Sequence, residues 1–303
     1  MNSQLIIWQF SDQKPGHENQ AKGLINALKN RTKTESHKVL VPLSLFSFLL
    51  SVISGRFHHQ LAQLPPATHL LAVGRRTHLP MLLAKLWFGG KRIVLMRSHW
   101  PKRWFDAMII PKHDNPKQAP NVLITQGVIN NVTPSGQHDE QSRIILIGGP
   151  SKHYHWDDTS VISQVKHLIH STMPITSWQI ANSRRTPASF FERLNSEVEG
   201  VTFIDHKTVD SNWLPEQLTK AGQVWVTPDS VSMVYESITS GAQVGCFTLL
   251  EKQADNRIVS GINELLEQHK LTSFEQWQAG QSLSSPPHPL LEAQRAADWI
   301  LKQ

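Results

Sequence analysis

Short apolar runs alternate with longer amphipathic stretches along most of the chain. The first run, LIIWQF at 5–10, precedes a helical pattern from Ala21 to Leu28. Further apolar runs occupy 37–43, 69–74, 91–96, 105–111 and 121–127. Because strands that alternate with helices build parallel sheets covered on both faces, this part of the chain predicts an α/β domain.

The pattern lapses over 130–142, which is polar and contains Pro and Gly. Such a segment is typical of an interdomain linker. The alternation then resumes with strand candidates at 143–151, 175–183, 201–206, 223–230 and 243–250, each followed by a helix candidate. The predicted fold class is therefore α/β, with two Rossmann-like domains whose parallel sheets face a cleft.

Composition and charge favour a globular protein with an anionic partner. The formal charge is +6 and the pI is about 9.5, which suits a nucleotide, a phosphorylated lipid or a membrane surface. No run of five or more Lys and Arg occurs, so we expect no nucleic-acid partner. The single cysteine, Cys246, excludes an intramolecular disulfide. The N-terminus lacks the pattern of a signal peptide, so a cytoplasmic location is expected.

One apolar segment, 43–55, is too short to span a bilayer and is followed by Arg56, His58 and His59. Two interpretations stay open. Residues 43–59 either lie in the interface of an anionic membrane, at the inner face of the cytoplasmic membrane, or form a helix buried against the sheet.

Candidate binding residues follow the strands of the second domain. In open parallel sheets ligands bind beyond the carboxyl ends of the strands, which here carry GGPS, NSRRTP and TPDSVSMVYE. Glycines let a ligand approach and expose N–H groups, arginines suit phosphate oxygens, and a helix start favours phosphate. The candidates are Gly148, Gly149, Ser151, Ser183, Arg184, Arg185, Asp229, Ser230, Ser232 and Glu236, the last as a partner of ribose hydroxyls. The alternative for the Ser and Asp residues is helix capping.

The first domain has a different set of candidate residues, which follow the carboxyl ends of its own strands. Lys14 and His17 follow the first strand, Arg75 and Arg76 follow the strand at 69–74, and His113 and Asp114 follow the strand at 105–111. The alternative for each is a solvated charge or a helix cap. The chain has no GxxxxGK[ST], no GxGxxG after the first strand of either domain and no HExxH, so we predict neither a P-loop ATPase, nor a Rossmann dehydrogenase, nor a metal site.

Several of these motifs are long enough to carry a resemblance. QKPGHENQAKGL, VGRRTHLP, FDAMIIPKHD, GGPS, NSRRTP and WVTPDSVSMVYESITSGA resemble the signatures of the mitochondrial-fission Elm family, which has many bacterial members. The resemblance covers about 5–250. It implies no reaction by itself.

Pro15-Gly16-His17 after the first strand and the segment SVSMVYESITSGAQVG carry a looser similarity, to GT-B glycosyltransferases and especially to the enzyme that adds N-acetylglucosamine to the lipid-linked peptidoglycan precursor. It implies that His17, with Lys14 beside it, lies on the catalytic side, and that Glu236 binds the ribose of the donor. It also implies an acceptor-side domain at 1–135, with Arg75, Arg76, His113 and Asp114, and a nucleotide-sugar domain at 142–285. The final segment, 286–303, is then a helix that packs back on the first domain.

The leading hypothesis is a metal-independent glycosyltransferase that needs no cofactor. Its donor is a nucleotide-sugar and its acceptor is lipopolysaccharide or another lipid-linked glycan of the cell envelope. One alternative is a nucleotide-sugar 2-epimerase, for which Glu18, Asp114 and Asp229 are the candidate acids. The other is a non-catalytic scaffold at the membrane with the same fold.

Overall fold

The computed structural model describes residues 4–42, 44–134, 136–172, 177–253, 256–283 and 290–303. The domain limits predicted at 135, 285 and 286, the first residue of the segment 43–59 and the start of the strand predicted at 175 lie outside these residues. The chain divides into two compact units. Unit 1 comprises Met1–Asn131 and Leu291–Gln303, and unit 2 comprises Val132–Leu290.

Unit 1 is built on a six-stranded parallel sheet in the order β2-β1-β3-β4-β5-β6. Its elements are β1 (Leu5–Ser11), α1 (Pro15–Lys29), β2 (Thr34–Leu40), α2 (Leu45–Ile53), α3 (Arg56–Ala62), β3 (His69–Val73), α4 (Arg75–Phe88), β4 (Lys91–Leu95), β5 (Ala107–Pro111) and β6 (Val122–Thr125). Short 3₁₀ turns at Lys102–Trp104 and Lys112–Asp114 precede and follow β5.

Both faces of this sheet are covered, because successive residues of a strand point to opposite sides. Ile7 and Leu71 pack with α1 on one face. Trp8 and Leu70 pack on the other face, in the core that also includes Phe57 of α3. All the strands of this sheet are paired in parallel, so their carboxyl ends share one edge.

Unit 2 repeats the plan with a parallel sheet in the order β12-β11-β10-β7-β8-β9. Its elements are β7 (Asp139–Leu146), α5 (Asp158–Thr172), β8 (Ser177–Ala181), α6 (Ala188–Glu197), β9 (Val201–Ile204), α7 (Trp213–Lys220), β10 (Ala221–Val226), α8 (Val231–Ser240), β11 (Gln243–Cys246), α9 (Arg257–Glu267), β12 (Thr272–Ser273) and α10 (Phe274–Gln278). Residues 139–142, predicted as part of a linker, belong to β7 instead. Their side chains are polar and give no strand pattern, but β7 pairs with β8 and β10 through backbone hydrogen bonds.

The last helix, α11 (Glu292–Ile300), packs against α1 within unit 1. Ala296 and Ala297 are fully buried in that contact. Arg31 forms a two-pronged ion pair with Asp298, with one bond of 3.0 Å from Nη2 to Oδ2. Small buried side chains let the two helices approach closely, and the ion pair fixes their ends.

Candidate functional site

The loop after β1 joins a buried carboxylate to a histidine. Asp12 directly follows β1, its side chain is 2 % exposed, and its Oδ1 lies 2.9 Å from Nδ1 of His17. His17 stands in the first turn of α1, which Pro15 begins. Because a carboxylate only accepts hydrogen bonds, Nδ1 donates to Asp12, and Nε2 carries the lone pair that accepts a proton. The loop therefore contains a histidine that is oriented by a carboxylate, as in the Asp–His part of a catalytic triad.

Asp12 was not among the predicted site residues. In the sequence, the role of Asp12 is indicated only by its position as an acidic residue just after an apolar strand, and acidic residues are common at such turns. Lys14, which was predicted to be catalytic, caps α1 without a side-chain bond and is mostly exposed. Its Nζ lies 3.8 Å from Oδ2 of Asp12, at the rim of the pair.

Gly74, between β3 and α4, makes room for the imidazole of His17. Its φ is +88°, and a Cβ built there would lie 2.3 Å from Cε1 of His17. Only glycine accepts that backbone conformation without strain and leaves that space. The predicted loop VGRRTH therefore contributes a floor beneath His17 as well as its two arginines.

A cavity of about 290 Å³ opens at the same edge, lined by Arg75, His78, His99 and Trp100. Trp100 stacks on Trp104 with their ring centroids 5.1 Å apart. Nδ1 of His78 lies 3.2 Å from Oγ of Ser98, and its buried Nε2 has no hydrogen-bond partner among the described residues. An aromatic ring, a guanidinium group and two imidazoles together suit a sugar or an anionic head group.

The other predicted acceptor-side residues lie elsewhere on this edge. Arg76 is exposed beside Arg75 at the start of α4. His113 and Asp114 are half-buried on the 3₁₀ turn after β5, and β3 and β4 lie between β5 and β1 in the sheet. Glu18, a candidate acid for epimerisation, accepts from Ser11 and pairs with Lys38.

The buried histidines of unit 1 predict a loss of stability in acid. Burial, with the nearby His99, Arg75 and His17, lowers the pKa of His78 from 6.5 to about 4. Burial and Lys91 lower the pKa of His69 to about 4 as well. Both rings are neutral at pH 7, and between 6.5 and 4 the unfolded chain binds more protons than the folded one. Stability therefore falls as the pH drops through this window.

We expect each of these two histidines to lower the free energy of unfolding by about 2 kcal/mol between pH 7 and about pH 4.5. Urea unfolding of the wild type and of His78→Gln at both pH values measures the share of His78. The variant should lose less stability on acidification than the wild type. Equal losses would contradict the assignment of a depressed pKa to His78.

In unit 2, one buried carboxylate fastens three loops together. Oδ2 of Asp229, which follows β10, accepts from the N–H of Gly149 at 3.0 Å and from Nη2 of Arg185 at 2.6 Å. Gly149 follows β7 and Arg185 follows β8. Burial raises the pKa of Asp229, although Thr227, Arg185 and Gly149 each oppose the shift. The three predicted loops are thus brought together at the carboxyl ends of adjacent strands.

The two glycines of GGPS have a different role from the predicted one. The N–H of Gly148 donates to Oγ1 of Thr227 at 2.8 Å and that of Gly149 to Asp229, so neither is exposed for a ligand. A Cβ on Gly148 would lie 2.3 Å from Oδ2 of Asp229, and one on Gly149 would lie 2.2 Å from the carbonyl oxygen of Arg185. Glycine is needed here because the chain's own loops cross closely.

Two predicted serines also brace these loops. Oγ of Ser183 donates to the carbonyl oxygen of Gly148 at 2.8 Å. Oγ of Ser151 accepts from the N–H groups of His153 and Tyr154 at 3.1 and 3.2 Å. These hydroxyls hold the backbone of the first two loops in place.

The two arginines of NSRRTP are not equivalent. Arg185 is held by Asp229 and by the carbonyl oxygen of Pro150, 3.3 Å from its Nη1. Arg184 is exposed, and the described residues give it no ion pair. Arg185 thus neutralises the buried carboxylate, and Arg184 is the cation of this loop that is available to a ligand.

Helix α8 presents its N-terminus at the same edge. Ser230 is the N-cap residue but makes no side-chain capping bond, and Ser232 is exposed in the first turn. The first-turn N–H groups and the helix dipole therefore favour an anion at this end. Glu236 lies in the next turn and is 5 % exposed, among a run of buried residues of α8.

Within the described part of the chain, no three or more His, Cys, Asp and Glu residues are grouped so that they could hold a metal ion. The exposed Arg184 and the N-terminus of α8 supply positive charge at the candidate site of unit 2.

Comparisons with known proteins agree on family and fold. The family described as Mitochondrial fission ELM1 matches residues 15–303. An uncharacterised protein of Rickettsia prowazekii (strain Madrid E), RP120, is 23 % identical over 358 residues, covering 97 % of each chain.

Among solved structures, UDP-GlcNAc 2-epimerase from Methanocaldococcus jannaschii matches with a TM-score of 0.62 at 9 % identity, over 99 % of this chain and all of the other. MurG of Acinetobacter baumannii matches with a TM-score of 0.56 at 11 % identity, with the same coverage. Similarity at this level of identity shows the fold alone. The predicted α/β class with two parallel sheets, of GT-B type, is confirmed.

Proposed function

We propose that this chain, which belongs to the Mitochondrial fission ELM1 family, is a glycosyltransferase that moves a sugar from a nucleotide-sugar donor to a lipopolysaccharide or lipid-linked acceptor of the cell envelope. The observation that carries the proposal is the pair of Asp12 and His17, which leaves Nε2 of His17 as a base. The GT-B fold supports the donor class, since one structural neighbour is by name an epimerase of UDP-GlcNAc.

Donor binding is assigned to unit 2. Arg184, exposed and without an ion pair among the described residues, would contact the phosphates together with the N-terminus of α8. Arg185 is assigned instead to holding Asp229, so it shapes the site without contacting phosphate. Glu236 would accept hydrogen bonds from the ribose hydroxyls.

Acceptor activation is assigned to unit 1. The acceptor hydroxyl oxygen forms a bond to the anomeric carbon of the donor sugar as the bond from that carbon to the phosphate oxygen breaks. The hydroxyl proton passes to Nε2 of His17, and the electron pair of the broken bond leaves with the nucleotide. Asp12 stabilises the imidazolium that results. The charge of the leaving group is met by Arg184 and the α8 N–H groups, so the proposed reaction uses neither metal nor cofactor.

Glu236→Ala should weaken donor binding about tenfold or more, because a ligand hydroxyl then loses a charged acceptor. Calorimetric titration with the donor nucleotide measures this change, and Glu236→Gln separates loss of charge from loss of volume. Glu199→Ala, on an exposed loop residue of the same unit, is the matched control. An unchanged dissociation constant in Glu236→Ala would remove this residue from the donor site.

An epimerase on the same fold is the alternative reaction, and it needs a free carboxylate to abstract a proton. Of the candidate acids, Asp229 is buried against Arg185, and Glu18 is tied to Ser11 and Lys38. These contacts count against Asp229 and Glu18 as the base of an epimerase; the third candidate acid, Asp114, is half-buried on the 3₁₀ turn after β5. Incubation with a nucleotide-sugar in the absence of acceptor discriminates, since an epimerase converts the donor alone and a transferase needs the acceptor. A scaffold would do neither and would bind no nucleotide.

A further inference from the structure

Helix α2 exposes an apolar surface that no part of its own unit covers. Five large apolar side chains point outward, with exposed fractions of 44 % to 82 %. They are Leu45, Phe46, Leu49, Leu50 and Ile53, here called the α2 outer face. At 100° per residue, these positions occupy an arc of roughly 140° on one side of the helix. This differs from the alternative of a buried helix that the sequence left open.

The opposite side of α2 is anchored in unit 1. Phe48 is 2 % exposed and meets Phe57 of α3 edge to face, with ring centroids 5.2 Å apart. Val52 packs against the same core. Oγ of Ser44 caps the helix by accepting from the N–H of Ser47. The helix is thus apolar on two sides, and only one of them is used by the fold.

The charge of the two units is strongly asymmetric. Unit 1 contains 19 Lys and Arg against 7 Asp and Glu, a formal charge of +12. Unit 2 contains 11 against 17, a charge of −6. From Ser36 to Phe105, the segment that includes α2, no Asp or Glu occurs. Arg56, exposed at the start of α3, follows the outer face directly. The positive charge of unit 1 complements a negatively charged partner, and the α2 outer face offers that partner an apolar contact.

We propose that the α2 outer face docks unit 1 on an anionic lipid bilayer, with α2 lying in the plane of the interface. Aliphatic and aromatic side chains enter the acyl boundary, and the cations of unit 1 meet the head groups. A second copy of the chain is a poorer occupant, because two units of charge +12 repel each other. Within the described residues no helix is long and apolar enough to cross a bilayer.

This docking deepens the proposed function and rests on it for its purpose, since an acceptor attached to a lipid is presented at a bilayer surface. It also specifies what the acceptor-side unit contributes. Unit 1 carries both the proposed base, His17, and the α2 outer face.

Co-sedimentation of the full chain with phosphatidylcholine vesicles, with and without about 30 mol% phosphatidylglycerol, tests the proposal. The wild type should bind the anionic vesicles, and binding should weaken as salt is added. Phe46→Ser/Ile53→Ser should lower the partition coefficient about tenfold or more. Leu250→Ser, equally exposed but in unit 2, should leave it unchanged. Because Phe46 and Ile53 are 71 % and 82 % exposed, thermal unfolding should not distinguish the double variant from the wild type.

Three results would overturn the docking proposal: no binding of the wild type, equal binding of the double variant, or a wild-type dimer that the double variant dissociates. Donor binding, measured on the same proteins by thermal shift, separates this inference from the proposed function. Vesicle binding without any response to nucleotide-sugars would contradict the function alone. A nucleotide-sugar response without vesicle binding would contradict the docking alone.

Discussion

His17→Ala is expected to lower turnover of the proposed transfer reaction by about 10²- to 10⁴-fold, the usual contribution of a positioned general base. The dissociation constant of the donor should change little, because donor binding is assigned to unit 2 and His17 belongs to unit 1. Steady-state kinetics with saturating donor, together with calorimetric titration of the donor, measures both quantities.

Asp12 acts through His17, so its variant has a distinct signature. Asp12→Asn keeps the size of the side chain but removes the charge that orients the Nδ1–H of His17 and stabilises the imidazolium. Turnover should fall, and the pH–rate profile should shift, whereas a purely structural role would move only stability.

For His17→Ala, the matched control is His155→Ala, which changes an exposed histidine of unit 2. Unchanged turnover in His17→Ala would remove His17 from the role of base.

The second large effect is expected at the carboxylate that fastens the loops of unit 2. Asp229→Ala leaves the N–H of Gly149 without its acceptor and Arg185 without its ion pair. Breaking a buried pair in this way is strongly destabilising, but Arg185 is 41 % exposed and part of its charge is already solvated. We therefore expect the free energy of unfolding to fall by about 2–3 kcal/mol. Donor affinity should fall with it, because the three loops lose their common fastening.

Asp229→Asn separates the hydrogen bonds of this side chain from its negative charge. Its amide oxygen can still accept from Gly149 and from Arg185, so most of the stability should return. Urea unfolding of the three proteins gives the comparison. If Asp229→Ala were as stable as the wild type, the loops would be held by other contacts, and the account of why Gly148 and Gly149 are glycines would be wrong.

Much of the fold could be predicted from the sequence because buried parallel strands leave uninterrupted apolar runs. β3, β4 and β11 lie within the predicted segments. The start of β7 could not be predicted, since Asp139 to Ser142 are polar and pair through their backbone. Helix α2 left two interpretations open, because a helix that is apolar on both sides reads equally well as buried or as docked.

The candidate site was predicted in part, since residue type and position after a strand are visible in a sequence. His17 and the three loops of unit 2 were selected in this way, and the structure shows that the three loops meet at Asp229. The partner of each side chain is set by tertiary geometry, so Asp12 was missed. For the same reason Arg184 and Arg185 were indistinguishable, although only Arg185 reaches Asp229.

A thermal-shift panel of nucleotides and nucleotide-sugars tests the central claim most directly, because a ligand that binds only the native state raises its unfolding temperature. The proposed function predicts that at least one nucleotide-sugar raises the unfolding temperature of the wild type, and that Glu236→Ala responds less to the same compound. Unchanged unfolding temperatures across the whole panel would contradict the claim that this chain uses a nucleotide-activated sugar.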